Sequence, residues 1–151
     1  MYDIKKLKQL REDTGISFSL CKKALVESKN DLAVARKLLS KWGVEKVKDK
    51  SNRITASGAL FTYVHHNKKI ASLIELLCET DFVANNSDFQ KLGTELVMQA
   101  AAIPAESPKD FLTQTYARDP SMKIEDLLKG AVLKFGENIK IGKIFRFELG
   151  N

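Results

Sequence analysis

Apolar residues recur at helical spacing through the first 43 positions. Ile4, Leu7 and Leu10 share one face of a first helix, which Gly15 is placed to stop in a left-handed conformation. Ser17 can cap a second helix that buries some of Leu20, Cys21, Ala24 and Leu25, and Asn30 ends it. Asp31 caps a third, with Leu32, Ala35, Leu39 and Trp42 on one face and Gly43 at the stop position. Three helices this short are marginal by themselves. They lean on a neighbour or form a compact binding module.

The pattern then changes twice. Across 44–58, Lys46, Lys48, Lys50 and Arg53 alternate with other residues up to Ser57-Gly58, which reads as a linker whose first half can stay helical. From Ala59 the stretch Ala59-Leu60-Phe61-Thr62-Tyr63-Val64 has strand composition, and His66-Asn67-Lys68 suits a turn. Ile70, Leu73, Ile74, Leu77 and Cys78 fit a helix by spacing, whereas the hairpin context suggests a returning strand, and periodicity leaves both open. Ser87-Asp88-Phe89-Gln90 reads as a capping box before a helix lined by Phe89, Leu92, Leu96 and Ala100, and Pro104 bars its continuation. Gly93 on that face suggests close approach of another backbone. Residues 104–121, with three prolines, predict an irregular connection. Ile124, Leu127, Leu128, Ala131 and Phe135 form an amphipathic helix stopped at Gly136. Ile139, Ile141, Phe145, Phe147 and Leu149 alternate as a last strand, interrupted by Lys143 on the apolar face. Strands and helices are segregated, so the class is α+β, an antiparallel sheet covered by helices on one side. The predicted organisation is 1–43, a three-helix module; 44–58, a basic linker; and 59–151, an α+β core.

Composition narrows the function. At 151 residues and 44% hydrophobic, the chain can bury a real core. No apolar run approaches the ~18 residues of a membrane helix, and no apolar segment follows Met1-Tyr2-Asp3, so a secretory signal is not expected. Cys21 and Cys78 are too few for a disulfide framework and lack metal spacing, which fits a reducing cytosol or an organelle matrix. The net charge of +6 invites an acidic partner, but 19 acidic residues are interspersed with 25 basic ones. The 44–58 run is then either a solvated tether or a nucleic-acid contact, with no aromatic to stack on bases.

Catalytic constellations are missing from the pattern. His65 and His66 are adjacent, and on a strand they would point to opposite faces. Both cysteines sit beside apolar residues, where buried thiols are inert. Neither a glycine-rich phosphate loop nor an acidic cluster suited to calcium is present. The expectation is a protein without enzymatic activity, metal or cofactor. One segment stands out, Glu79-Thr80-Asp81-Phe82-Val83-Ala84-Asn85-Asn86, which places Phe82 and Val83 in an inferred loop beside Asp81. Either both fold back onto the core, or an exposed ring is offered as an anchor for a partner's pocket.

That segment, with Cys78 before it, resembles the Thr-Asp-Phe-Val-Ala motif of the elongation factor Ts family. Leu10-Arg11-x-x-Thr14-Gly15 followed by Cys21-Lys22-Lys23-Ala24-Leu25 is similar to that family's N-terminal module. Gly136-Glu137-Asn138-Ile139 leading into Arg146-Phe147-Glu148 matches its C-terminal run. Together the three span nearly the whole chain. The resemblance implies a three-helix module similar to ubiquitin-associated domains, then three antiparallel strands with packed helices, and it makes 70–78 a strand.

It also implies a cytoplasmic guanine-nucleotide exchange factor in protein biosynthesis, with elongation factor Tu as partner and neither membrane nor nucleic acid bound directly. The motif residues Thr80, Asp81, Phe82 and Val83 would contact that GTPase near its magnesium site, the ring wedging between side chains there. Arg11 and Phe18 match the contacts of the N-terminal module, although the family more often has methionines around Phe18. The alternative reading from charge is a basic RNA- or ribosome-binding module.

Longer members carry two related core halves and a coiled-coil insertion; one half and no heptad segment are found here. The chain is then a short form that pairs two copies, or a fragment. For a weak homodimer the expectation is that Ile139, Ile141, Phe145, Phe147 and Leu149 lie on the chain's own helices. Lys140, Gly142, Ile144, Arg146 and Glu148 would then face the second copy.

Overall fold

The computed structural model describes residues 1–151. Its order is α1 (Ile4–Thr14), α2 (Phe18–Glu27), α3 (Leu32–Lys50), β1 (Ser57–Val64), β2 (Ile70–Cys78), α4 (Asp81–Ala84), α5 (Ser87–Ala102), α6 (Pro108–Thr113), α7 (Ile124–Phe135) and β3 (Lys140–Glu148). The strands form one antiparallel sheet in the order β1-β2-β3, so the fold is α+β. None of the helices is long and apolar enough to cross a membrane.

The chain divides into two compact units. The first is Met1–Ser51 with Lys129–Gly136, and the second is Asn52–Leu128 with Glu137–Asn151. In the first unit, Asp3, Ser17 and Asp31 accept backbone N–H groups at the starts of α1, α2 and α3, and Gly15 stops α1 at φ 67°. Leu7, Leu10, Cys21, Ala24, Leu25, Ala35 and Leu39 pack into one core that Leu133 of α7 completes. The three short helices thus gain apolar cover from a segment almost 80 residues further along the chain than α3.

Gly43 does not stop α3, which runs on to Lys50. Glycine weakens a helix interior by only about 1 kcal/mol, and here Gly43 is buried with its backbone facing the Lys129 carbonyl. Lys48 and Lys50 occupy the last turn, where their charge favours the helix dipole. The first half of the basic stretch is therefore helix.

In the second unit, α5 covers one face of the sheet. Ser72 Oγ donates to the Val97 carbonyl at 2.6 Å, and the Phe61 and Phe89 rings lie with centroids 6.3 Å apart. Gly93 gives way to a ring, where the sequence had suggested another backbone: a Cβ there would run into Phe61. Gly93→Ala is expected to cost about 1–3 kcal/mol through overpacking. It should lower the urea midpoint at unchanged slope, and an unchanged midpoint would show that Phe61 can move aside.

Two further expectations are corrected. Asn86, not Ser87, caps α5, with Oδ1 accepting from Asp88 N at 2.8 Å. Gln90 Nε2 donates to the Ala84 carbonyl at 2.7 Å, satisfying the end of α4. Asparagine caps as well as serine, and the preceding helix made its position the earlier one. The stretch 104–121 contains α6, started by Ser107 as cap and Pro108 in the first turn, and it buries Phe111 completely.

The last strand departs furthest from its predicted alternation. Leu76 pairs with Ile141 and Ile74 with Ile144, so one residue of β2 opposes two of β3. This bulge at Gly142-Lys143 puts both isoleucines on the helix side and reverses the facing of everything after them. Gly142 leaves the room that the Glu75 carboxyl occupies. Arg146 then turns towards the helices, its Nε donating to the Ala101 carbonyl at 3.0 Å. Phe145 and Phe147 are 46% and 67% exposed on the opposite face. They continue cross-strand rows Thr62–Leu73–Phe145 and Val64–Ala71–Phe147. The expected assignment of faces is therefore inverted beyond Lys143: the side without helices is the apolar one.

Candidate functional site

Within the segment 79–86, residues Asp81–Ala84 form a turn of helix where a loop was expected. Thr80, in extended conformation, caps α4 by accepting from Val83 N at 3.3 Å, and Asp81 occupies the favourable first turn. A four-residue helix has no stability of its own. Val83 and Ala84 are buried and tie it to the core, while Phe82 is 86% exposed. The two apolar residues, read together from the sequence as both folded back or both offered, are divided: one anchors the turn and the other projects.

Three connections hold this turn from below. Ser57 Oγ of β1 donates to the Asp81 carboxylate. The Cys78 thiol donates to the Thr80 carbonyl at 3.2 Å. Glu137, just after α7, accepts at Oε1 from Glu79 N and Thr80 N, both at 3.1 Å, and at Oε2 from Thr80 Oγ1 at 2.7 Å. Glu79 answers by accepting from Asn138 N at 2.9 Å, with Arg53 NH1 3.6 Å from the same oxygen, and Asn138 Nδ2 donates to the Arg53 carbonyl at 2.9 Å. Glu79, Glu137, Asn138 and Arg53 were not singled out as site residues. The signal for Glu79, Glu137 and Asn138 was the pair of motifs at 78–84 and 136–139, whereas Arg53, in the basic stretch, carried none.

Arg11 and Phe18 lie in the first unit on either side of the Gly15 turn. The Arg11 guanidinium sits 5.9 Å from the Phe18 ring centroid, and Phe18 is 46% exposed. Arg11, Lys8, Glu12, Gly15 and Ile16 line a shallow depression of about 300 Å³, and the Lys134 side chain lies over Gly15. A cation beside a half-exposed ring can take both an acidic and an apolar group from a partner.

Groups suited to covalent chemistry are poorly placed for it. Burial pushes the Cys21 thiol up, and burial with the charge of Glu137 pushes the Cys78 thiol up; both are buried and protonated at neutral pH. The two histidines do not diverge as expected, because both lie beyond the end of β1. Their ring centroids are 4.1 Å apart, and Tyr63 Oη is 2.8 Å from His65 Nδ1.

Comparison with known proteins adds an independent line. The family model described as elongation factor TS matches residues 79–151. A protein named elongation factor Ts from Thermosipho melanesiensis is 34% identical over 195 aligned positions, covering 99% of this chain and 100% of that protein. One of the same name from Fervidobacterium nodosum is 34% identical over 189 positions, covering 95% and 96%. Both alignments are longer than the 151 residues of this chain, so these relatives carry residues without a counterpart here. A longer protein of that name from Clostridium tetani is 37% identical over the whole chain, which matches 50% of its length.

Proposed function

We propose a function that starts from one fact: the chain belongs to the elongation factor Ts family. It is a translation elongation factor, and the finer reading is that it binds elongation factor Tu in the cytoplasm and promotes GDP release without catalysing a reaction. The observation that carries this reading is Phe82, a large apolar ring left 86% exposed on a turn held by its neighbours.

Exchange requires binding the empty GTPase better than the loaded one, and linkage makes nucleotide weaken the exchange factor by the same factor. Speeding release about ten-thousand-fold lowers the barrier by about 5.4 kcal/mol. A desolvated aromatic anchor supplies about 2–4 kcal/mol, so Phe82 accounts for roughly half. The remainder falls to Thr80 and Asp81 beside the ring and to the grip by Arg11 and Phe18, while the expected contact by Val83 becomes an anchoring role, since it is buried beneath the turn. Asp81 brings negative charge close to phosphate and magnesium, where it competes for the cation and repels phosphate. Release of labelled GDP from purified elongation factor Tu, with and without this chain, tests the reading. Acceleration by substoichiometric chain is expected, and an unchanged rate sinks it. Steeply salt-dependent RNA affinity with no effect on release would favour an RNA- or ribosome-binding role for exposed Lys46 and Lys48 instead.

Arg11→Ala with Phe18→Ala separates grip from wedge. The double variant should weaken complex formation about tenfold or more, some 1.4 kcal/mol, while release at saturating chain falls less. An unchanged affinity in titration removes these residues from the interface. We also propose a weak homodimer through the apolar outer face of the sheet, where Phe145 and Phe147 are left exposed.

A further inference from the structure

We propose that Glu137 is a positioning residue for exchange, setting the direction of the Phe82 ring through the cap of α4; this rests on Phe82 acting as the wedge. The inference follows from where the hydrogen-bond donors go. Thr80 Oγ1 has one hydrogen, and it points to Glu137 Oε2 at 2.7 Å. Its lone pairs are thereby left to accept from Val83 N at 3.3 Å, the bond that caps α4. Glu137 Oε1 meanwhile takes the amides of Glu79 and Thr80, the two residues that join β2 to that helix. One carboxylate thus binds three donors on two successive residues, and it sits 57 positions from Thr80 in sequence.

No other side chain holds both amides that lead into the turn: the Cys78 thiol reaches only the Thr80 carbonyl and Gln90 only the Ala84 carbonyl at the far end. Phe82 is too exposed to be held by its own packing, and a helix of four residues depends on its cap and its buried side. Val83 and Ala84 supply the buried side but leave the turn free to pivot about them. Ser57 restrains the Asp81 carboxylate, one bond on a rotatable side chain. Glu137 instead grips the backbone immediately before the helix, so its loss changes the angle at which the helix leaves the strand. The return bond from Asn138 N to Glu79 and the link from Asn138 to Arg53 fix Glu137 in place. A wedge that must enter a pocket in one orientation loses effect when it samples many, because the ordering then has to occur at binding.

The experiment combines two readouts on the full chain with wild type, Glu137→Ala, Glu137→Gln, Phe82→Ala and the Phe82→Ala/Glu137→Ala double variant. In the free chain, hydrogen exchange at the Thr80 and Val83 amides should speed up about tenfold or more in Glu137→Ala. Glu137→Gln should fall between, since its amide oxygen can still accept the two N–H groups but its nitrogen cannot accept the Thr80 hydroxyl. Stimulated GDP release at saturating chain should drop about tenfold in Glu137→Ala, with affinity for the nucleotide-free partner changed less than release. The double variant should be no slower than Phe82→Ala alone, since both changes act through one ring. Release unchanged in Glu137→Ala, or losses that multiply in the double variant, would overturn the proposal. Phe82→Ala releasing GDP at the wild-type rate would overturn the wedge reading beneath it, and that result appears in a separate arm.

Discussion

Phe82→Ala should melt with the wild type and lose most of the chain's stimulation of GDP release. The ring is 86% exposed, so its removal opens no cavity, and alanine is the better residue in a helix. What is lost is the anchor. At about 2–4 kcal/mol for a hot-spot aromatic, stimulated release should fall by about 30- to 900-fold. Truncating the neighbour tests the division of labour between the two. Val83 is buried beneath the turn, so Val83→Ala should lower the melting temperature. A Phe82→Ala variant that melted early and kept its activity in the folded fraction would instead place the ring in the core.

The second large effect concerns the outer face of the sheet. On the proposed pairing of two copies, Phe145→Glu with Phe147→Lys should leave a folded monomer at concentrations where the wild type is expected to dimerise. Both rings lie opposite the helices, in rows that reach across all three strands to Val64 and Thr62. A two-fold pairing presents each ring twice. At about 1.5–3 kcal/mol per buried phenylalanine, replacing them with charge should raise the dissociation constant at least a thousandfold. Sedimentation from micromolar to millimolar concentration measures it. A wild type that stays monomeric throughout, with full exchange activity, would show that one core half suffices.

Which elements were legible in the sequence, and which were not, follows from the range of the forces involved. The stops at Gly15 and Gly136 were readable from glycine's backbone freedom, and the caps at Ser17 and Asp31 from side-chain oxygens that reach amides within three residues. The strand Ile70–Cys78 was ambiguous by spacing, since a strand buried on alternate positions with Leu73 and Leu77 on its outer face carries apolar residues on both sides. Only the resemblance decided it. Gly43 was misread as a stop, although the stretch after it was expected to be able to stay helical, because the packing of that glycine involves Lys129 of α7. The facing of β3 was missed although Lys143 marked the place: the interruption was the bulge, and strict alternation carried the reading past it onto the wrong side.

The candidate site divides in the same way. Residue chemistry singled out Thr80, Asp81, Phe82 and Val83, but a linear reading could not separate the ring that projects from the side chain that anchors, because that depends on which way a capped turn faces a core. Likewise Glu137 was visible as part of a motif and not as a clamp, since its partners lie far away along the chain. By itself the sequence determined the family, the α+β class, the helix ends and the segment where function concentrates, all properties set by residue type and near neighbours. The tertiary structure alone decided which ring is exposed, which carboxylate holds it and which sheet face is left uncovered. Those are set by a bulge, a cap and a long-range hydrogen bond, and each exists only once distant strands have paired.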